Sequence, residues 1–438
     1  MNYPVWDLSV YGGGLLIALI ATIHVYIAHF AVGGGLFLVV TEIKARREDN
    51  NGILDYVHSH TGFFLLLTMV LGSLTGVGIW LVISVLNPAA TSILIHTFIF
   101  GWATEWVFFV VEIISLLIYY YTFYGMSARN HIRIGWIYFI AAWLSLVIID
   151  GIISFMLTPG NWLQNKGFWS GFLNPSFPPS LLFRIALALI FAGVYGFITS
   201  TNIKDHQLRK DMTRYCVLWL LLPFVLLIPS AYWYMKTISS QAQEMIMGSS
   251  PETFYFTKYF LGILPLVVLG GLVMALRLPR SFHRTVAFII LVIAFLYMGA
   301  FEMVRESSRR PYIIYDHMYS NSMLKTSLPQ VQEQGVLASA KWTMAKEVTG
   351  SNQLDAGKEL FRLLCLSCHS VGGIRNDILV RTEDMELEEI NSIFDEMGEG
   401  LPFMPPFAGI DKERAALGSY IYEVLMGMEE EIAFSNGS

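Results

Sequence analysis

Cys365-Leu-Ser-Cys368-His369 is the stretch of this chain whose residue types and spacing prescribe the most specific chemistry. Two thiols about one helical turn apart are placed to form thioethers with the two vinyl groups of a haem, and the adjoining imidazole is offered to the iron. A redox dithiol or half of a zinc site would use the same Cys pair. Against both, the chain has 3 cysteines in all, so no second pair exists for zinc, and no βαβ pattern surrounds the motif. Cys216, alone in an apolar run, reads as a small core residue.

The flanks of the motif resemble a small class I cytochrome c. A helix expected over Asp355–Leu364 leads into it, and Phe403-Met404-Pro405-Pro406-Phe407 follows, with Met404 35 residues beyond His369. A final amphipathic helix is expected from Asp411 to about Met426. In that family a Met from a Met-Pro loop is the sixth iron ligand, and Met404 stands at the matching position. The resemblance implies one covalent haem c held by Cys365 and Cys368, with His369 and Met404 on the iron, a pair that raises the haem potential. Haem attachment takes place outside the cytoplasmic membrane, so this domain is expected on the outer, periplasmic face.

Several ionisable residues fall inside apolar stretches, where a charge is costly and therefore a functional candidate. His24 and His29 share the first stretch, but five residues put them about 140° apart on a helix, not on one face. Glu105 and Glu112 lie two turns apart on one face of the third, near Trp102 and Trp106. Asp150 lies in the fourth, Arg184 near the outer end of the fifth, and Glu302 and Glu306 at the outer end of the eighth. Imidazoles and carboxylates at similar depth have the chemistry to ligate b-type haems and to carry protons. Paired helix-packing groups have the same composition.

The elements that must position these groups are transmembrane helices. Hydrophobic residues are 55% of the 438 and charged residues 14%, with mean hydropathy +0.54, whereas soluble domains carry about 25% charged residues. Apolar runs long enough to span a bilayer are expected near 13–41, 61–86, 92–121, 134–157, 180–200, 215–235, 257–276 and 285–304. The first has no basic leader and no small-residue cleavage site, so it is expected to be retained. The first, third, fifth and seventh connections hold twelve basic residues: Lys44, Arg46, Arg47; Arg129, Arg133; Lys204, Arg209, Lys210, Arg214; and Arg277, Arg280, Arg284. The opposite connections hold Lys166, Lys236 and Lys258. This asymmetry puts both termini outside, which eight spans satisfy. The expected fold is therefore all-α: a polytopic bundle over 1–304, a polar lid and linker over 305–351, and a small all-α haem domain over 352–438. From Ser351 to Ser438 there are 17 acidic and 6 basic residues, a net charge of −11, against −6 for the whole chain. Such acidity either keeps an exposed domain soluble or steers a basic partner, and it argues against nucleic acid.

The apolar body also resembles subunit I of the cytochrome bd quinol oxidases, over about residues 10–320. The first span, from Ile23-His24 through Gly33-Gly-Gly to Thr41-Glu42, keeps the family's intervals without a gap. Leu71-Gly72-Ser-Leu-Thr75-Gly76, Ala103-Thr-Glu105 to Glu112, Asp150-Gly151 and Glu306-Ser-Ser-Arg309-Arg-Pro311-Tyr312 resemble later family motifs in the same order. The glutamates of the third span are one residue closer together than in the family. The resemblance implies haem b and/or haem d in the bundle. It makes His24 an axial ligand of a high-spin haem and Glu306 a ligand of a second. Glu105 becomes a carboxylate at the oxygen-binding haem, Glu112 part of a proton route, and Arg309 the holder of a propionate. Asp150, near a family Asn, is expected beside Glu112 on the proton path. A second membrane subunit, resembling bd subunit II, and a prokaryotic cytoplasmic (inner) membrane location are implied as well.

Three departures bear on the electron donor. The family holds a low-spin haem with a His in the fifth span and a Met in the seventh, where this chain reads Phe183-Arg184 and Lys258-Tyr-Phe260. The connection from Lys236 to Thr257 is about 20 residues, where the family has a long quinol-oxidising loop. The family's ninth span is missing, and the haem c domain stands in its place. The expectation is a respiratory oxidoreductase that takes electrons from a periplasmic c-type cytochrome or similar donor through haem c to membrane high-spin haem, reducing oxygen. An electron-transfer subunit without a gas-reducing site is the alternative, and a nitric-oxide-reducing enzyme is a third reading.

Overall fold

The computed structural model describes residues 3, 5–276 and 279–427; Arg277 and residues 428–438 fall outside them. Among the described residues, eight helices are long and apolar enough to cross a membrane: α1 Gly13–Arg47, α2 Asn51–Leu86, α3 Ile99–Tyr121, α4 Ala128–Phe155, α5 Phe177–Ser200, α6 His206–Thr237, α7 Pro251–Met274 and α8 Arg280–Ser308. The fold is an all-α, multi-pass bundle. The third span starts later than its hydropathy suggested, because a separate short helix, Pro88–Thr97, breaks from it at Phe98.

Polar side chains fix where helices begin. Asn50 caps α2 by accepting from the Ile53 N–H, and Asp205 caps α6 by accepting from that of Leu208. Proline in the first turn of α5 presets its backbone without losing a needed donor. The helix α5 is the most buried of the eight, surrounded by α1, α4, α6 and α8. Its close approach to α1 depends on Gly33, where a Cβ would sit 1.8 Å from the Ala188 carbonyl oxygen.

The chain divides into two units, one of Ile20–Ile79 and Thr97–Ser308, the other of Met1–Leu19, Trp80–His96 and Arg309–Ser438. The first holds the bulk of the bundle. In the second, helices α9 Gln353–Leu364, α10 Leu387–Glu396 and α11 Asp411–Ser419 enclose an apolar core containing Leu360, Phe361, Phe394, Ala416 and Leu417. The stretch expected as lid and linker is folded into this same core. It forms an antiparallel pair of strands, β1 Tyr312–Ile314 and β2 Met318–Tyr319, then two short helices. Tyr319, Met323, Val331, Val336 and Leu337 are buried there. Buried Glu413 pins it by accepting from the Val336 and Leu337 N–H groups, each at 2.8 Å.

Candidate functional site

At the end of α9 the chain turns tightly through Cys365, Cys368 and His369, with both the Cys368 and His369 N–H groups donating to the Cys365 carbonyl. All three side chains are half-buried, and the two thiols are not joined to each other. His369 Nδ1 lies 3.2 Å from the Asn376 carbonyl oxygen. A carbonyl accepts only, so Nδ1 carries the hydrogen and Nε2 is the nitrogen with a lone pair for iron. Asn376 in turn donates from Nδ2 to the Cys368 carbonyl, at 3.0 Å. The N-terminal segment lies across this loop. Val371 N–H donates to the Ser9 carbonyl, Asp7 pairs with Arg362 at 3.0 Å, and Gly12, at φ +64°, passes beside the His369 carbonyl. Met404 is half-buried in the turn after Leu401. The donor set and the oriented His369 fit a covalent haem c.

In the bundle, His24 is held by the neighbouring helix. Its Nδ1 lies 3.2 Å from the Gly72 carbonyl and 3.1 Å from Thr75 Oγ1. Gly72 ends a π-helical stretch of α2, Leu66–Gly72, the kind of local widening that recurs at functional sites. Gly76 makes room for the ring: a Cβ there would lie 3.1 Å from His24 Cε1. The Gly-x-x-Thr-Gly motif therefore cradles one histidine. His29 is anchored on its own helix, Nδ1 to the Val25 carbonyl at 2.7 Å, and its buried Nε2 has no hydrogen-bond partner. Both imidazoles turn Nε2 away from their anchors, as a haem ligand requires, so the two are distinguished by the cross-helix cradle of His24.

Glu105 and Glu112 do share a face of α3. Glu112 is buried, and half-buried Glu105 accepts from Ser145 Oγ of α4 at 3.2 Å. Asp150 is elsewhere. It was expected beside Glu112 on a proton path, but its Oδ1 lies 2.8 Å from Arg184 Nε and accepts from Ser180 Oγ at 2.8 Å. Arg184 also donates to Glu302 Oε1 at 3.0 Å, and Arg305 donates to Glu302 Oε2 at 2.8 Å. Two carboxylates and two guanidiniums thus form a neutral ion cluster drawn from α4, α5 and α8. Sequence reading listed three of these residues singly and missed that they meet, and it overlooked Arg305.

Around the cluster the packing is aromatic. Phe183 lies 4.7 Å from Phe301 between ring centroids, and Phe260 stacks on Tyr297 at 4.7 Å. The positions that the resemblance assigns to low-spin haem ligands are therefore occupied by ion pairs and stacked rings. Their side chains do not fit that haem: a buried guanidinium is no iron ligand, and Phe260 offers no donor atom. Glu306 is half-buried in the last turns of α8, and Arg309, next after that helix, is buried. Among the described residues no group of three or more His, Cys, Asp or Glu is arranged to hold a bare metal ion.

No family model matches the sequence, and no curated protein matches it. Among solved structures, the fold is similar to that of a bd oxidase from Geobacillus thermodenitrificans. The superposition covers 69% of this chain and 87% of that chain, with a TM-score of 0.56 and 16% sequence identity. What the two chains share is the fold, a bundle of membrane-spanning helices in the bd oxidase arrangement.

Proposed function

We propose that this protein is a respiratory oxygen reductase fed by a c-type cytochrome. In this reading Cys365 and Cys368 bind haem c covalently, and His369 and Met404 take its iron. His24 would hold a high-spin haem b or d in the bundle and Glu306 a second haem, and Arg309 would pair with a propionate, where a planar guanidinium suits a carboxylate. The haems supply electron transfer and oxygen binding. The protein's own groups orient them and handle protons: Glu105 beside the oxygen site, Glu112 as its buried proton carrier. Asp150 enters as the partner that holds Arg184, not as a relay. A second membrane subunit completes the complex in the prokaryotic inner membrane, with the haem c domain on the periplasmic side.

One observation carries the reading. The Cys365-Leu-Ser-Cys368-His369 loop, with an oriented His369, is joined in a single chain to a bundle similar in fold to a bd oxidase, in which Arg184 and Phe260 stand at the positions that the resemblance gives to ligands of a quinol-serving haem. Gain of an outer haem and loss of that ligand pair are two halves of one change of donor. Haem extraction and a carbon monoxide difference spectrum on the reduced, purified complex test it. The expected result is one haem that stays with the polypeptide, at least one that is extracted, and carbon monoxide binding to the extractable kind. A spectrum untouched by carbon monoxide would leave an electron-transfer subunit instead, and a chain without covalent haem would overturn the c-type assignment.

A further inference from the structure

Helices α3 and α4 run antiparallel and pack along their length. At one end Tyr119 stacks on His131, with ring centroids 4.1 Å apart. Near the other, Ser145 donates to Glu105. The steps from 119 to 105 and from 131 to 145 are both fourteen residues, so the register is constant, and Glu112 and Tyr138 fall opposite each other midway. Each seven-residue step is about 10.5 Å. The seam thus repeats a titratable or hydroxyl-bearing pair every two turns, and Ser115, buried on the same face of α3, lies between the first two levels.

The first level is built around Glu42 of α1, which is fully buried. Its carboxylate accepts from Tyr119 Oη at 2.7 Å and Arg46 Nε at 2.7 Å, and faces His131 Nδ1 at 2.9 Å. His131 Nε2 faces the Tyr119 carbonyl at 2.8 Å. Both ring nitrogens therefore face oxygen atoms: Nε2–H donates to the Tyr119 carbonyl, and one hydrogen lies between Nδ1 and the Glu42 carboxyl group. The charged and titratable groups facing Glu42 are Arg46 from α1, Tyr119 from α3 and His131 from α4. Arg46 is partly exposed, linking the buried carboxylate to solvent at the end of the bundle that carries Lys44, Arg47, Arg129 and Arg133. A clamp serving stability alone needs no continuation along the seam.

We propose that Glu42, with His131 and Tyr119, is the proton entry of the bundle, and that protons pass from it along the α3–α4 seam to Glu112 and on to Glu105. This rests on the reading of Glu112 as proton carrier given above. In each delivery the Glu42–His131 pair passes a proton through water and the seam hydroxyls to the Glu112 carboxylate. A proton taken from water at the basic end then restores the pair to its starting form.

The test is the rate at which Glu112 exchanges its proton for deuterium. The purified complex is mixed into heavy water, and the Glu112 carboxyl band, identified by its loss in Glu112→Gln, is followed by infrared spectroscopy. Glu42→Gln and His131→Gln should slow the exchange on the order of 10²-fold, the scale on which positioned proton-transfer groups act. Tyr119→Phe keeps the ring stack and should slow it too, and it carries the test if the charged-site variants do not fold. Exchange at the wild-type rate in these variants, or a wild type without a Glu112 carboxyl band, overturns the proposal. Failure of the wild type to consume oxygen would instead sink the oxygen-reductase reading while leaving the exchange result to stand.

Discussion

Replacing Arg184 by Met removes the one side chain that bridges both carboxylates of the buried ion cluster. Glu302 keeps Arg305 at 2.8 Å, but Asp150 is left with the Ser180 hydroxyl as its partner. The cluster passes from neutral to a net negative charge with no solvent to receive it. Removing one member of a buried ion pair costs about 3–5 kcal/mol, so the unfolding constant should rise on the order of 10²–10⁴-fold. The structure also says how to undo the damage. Asp150→Leu on top of Arg184→Met removes the stranded carboxylate and restores neutrality, and replacing a whole buried pair by apolar groups is close to neutral. The double variant should therefore return to within about 1–2 kcal/mol of wild type. Asp150→Asn, which keeps a polar group for Arg184 and Ser180, should cost less than Asp150→Leu alone. Unfolding of the purified protein in mixed micelles with rising SDS, followed by circular dichroism, measures all of these. An Arg184→Met variant that loses less than about 1 kcal/mol, or a double variant no better than the single, would refute the argument that these charges depend on one another.

His24→Ala should remove a high-spin signal from the visible spectrum and leave the c-type α-band, while His29→Ala should do much less. The reverse pattern would show that the cross-helix cradle of Gly72 and Thr75 does not mark the ligand. Reduction of the complex by a basic cytochrome c should slow as salt rises, because Glu383, Asp384, Glu386, Glu388, Glu389, Asp395, Glu396 and Glu399 are all exposed on the C-terminal domain, and screening shortens to about 8 Å at physiological ionic strength. A flat dependence would leave this acidity with a solubility role.

Much of the architecture is legible in the sequence because lipid permits few solutions. Apolar runs of bilayer length must be helices, and their number could be read without any partner being known. The tight Cys365–His369 turn is legible for a different reason, since its donor atoms lie within five consecutive residues. What could not be read depends on contacts between distant elements. The cradle of His24 needs a π-helical turn that starts more than forty residues later in the chain. Asp150, Arg184, Glu302 and Arg305 come from three helices, and each alone looks like a lone charge in lipid. The folding of 305–351 was hidden because its apolar residues, Tyr319, Met323, Val331, Val336 and Leu337, are scattered among polar ones and bury against a surface supplied by α9 and α11. The seam is the instructive case. Glu105, Glu112 and Tyr119 recur every seven residues on α3, and His131, Tyr138 and Ser145 do so on α4, a matched spacing present in the sequence but meaningful only once the two helices are known to be antiparallel neighbours.

The route of the electron is the central claim, and rapid mixing under anaerobic conditions tests it most directly. The oxidised complex is given either a reduced c-type cytochrome or a quinol analogue, and the c-type and extractable haems are followed at their own wavelengths. With the cytochrome, the haem on Cys365 and Cys368 should be reduced first and the bundle haem after it, while the quinol should be slow with both. In a Cys365→Ala/Cys368→Ala variant the cytochrome should no longer reach the bundle. Rapid reduction of the bundle haem by quinol in that variant would contradict the account.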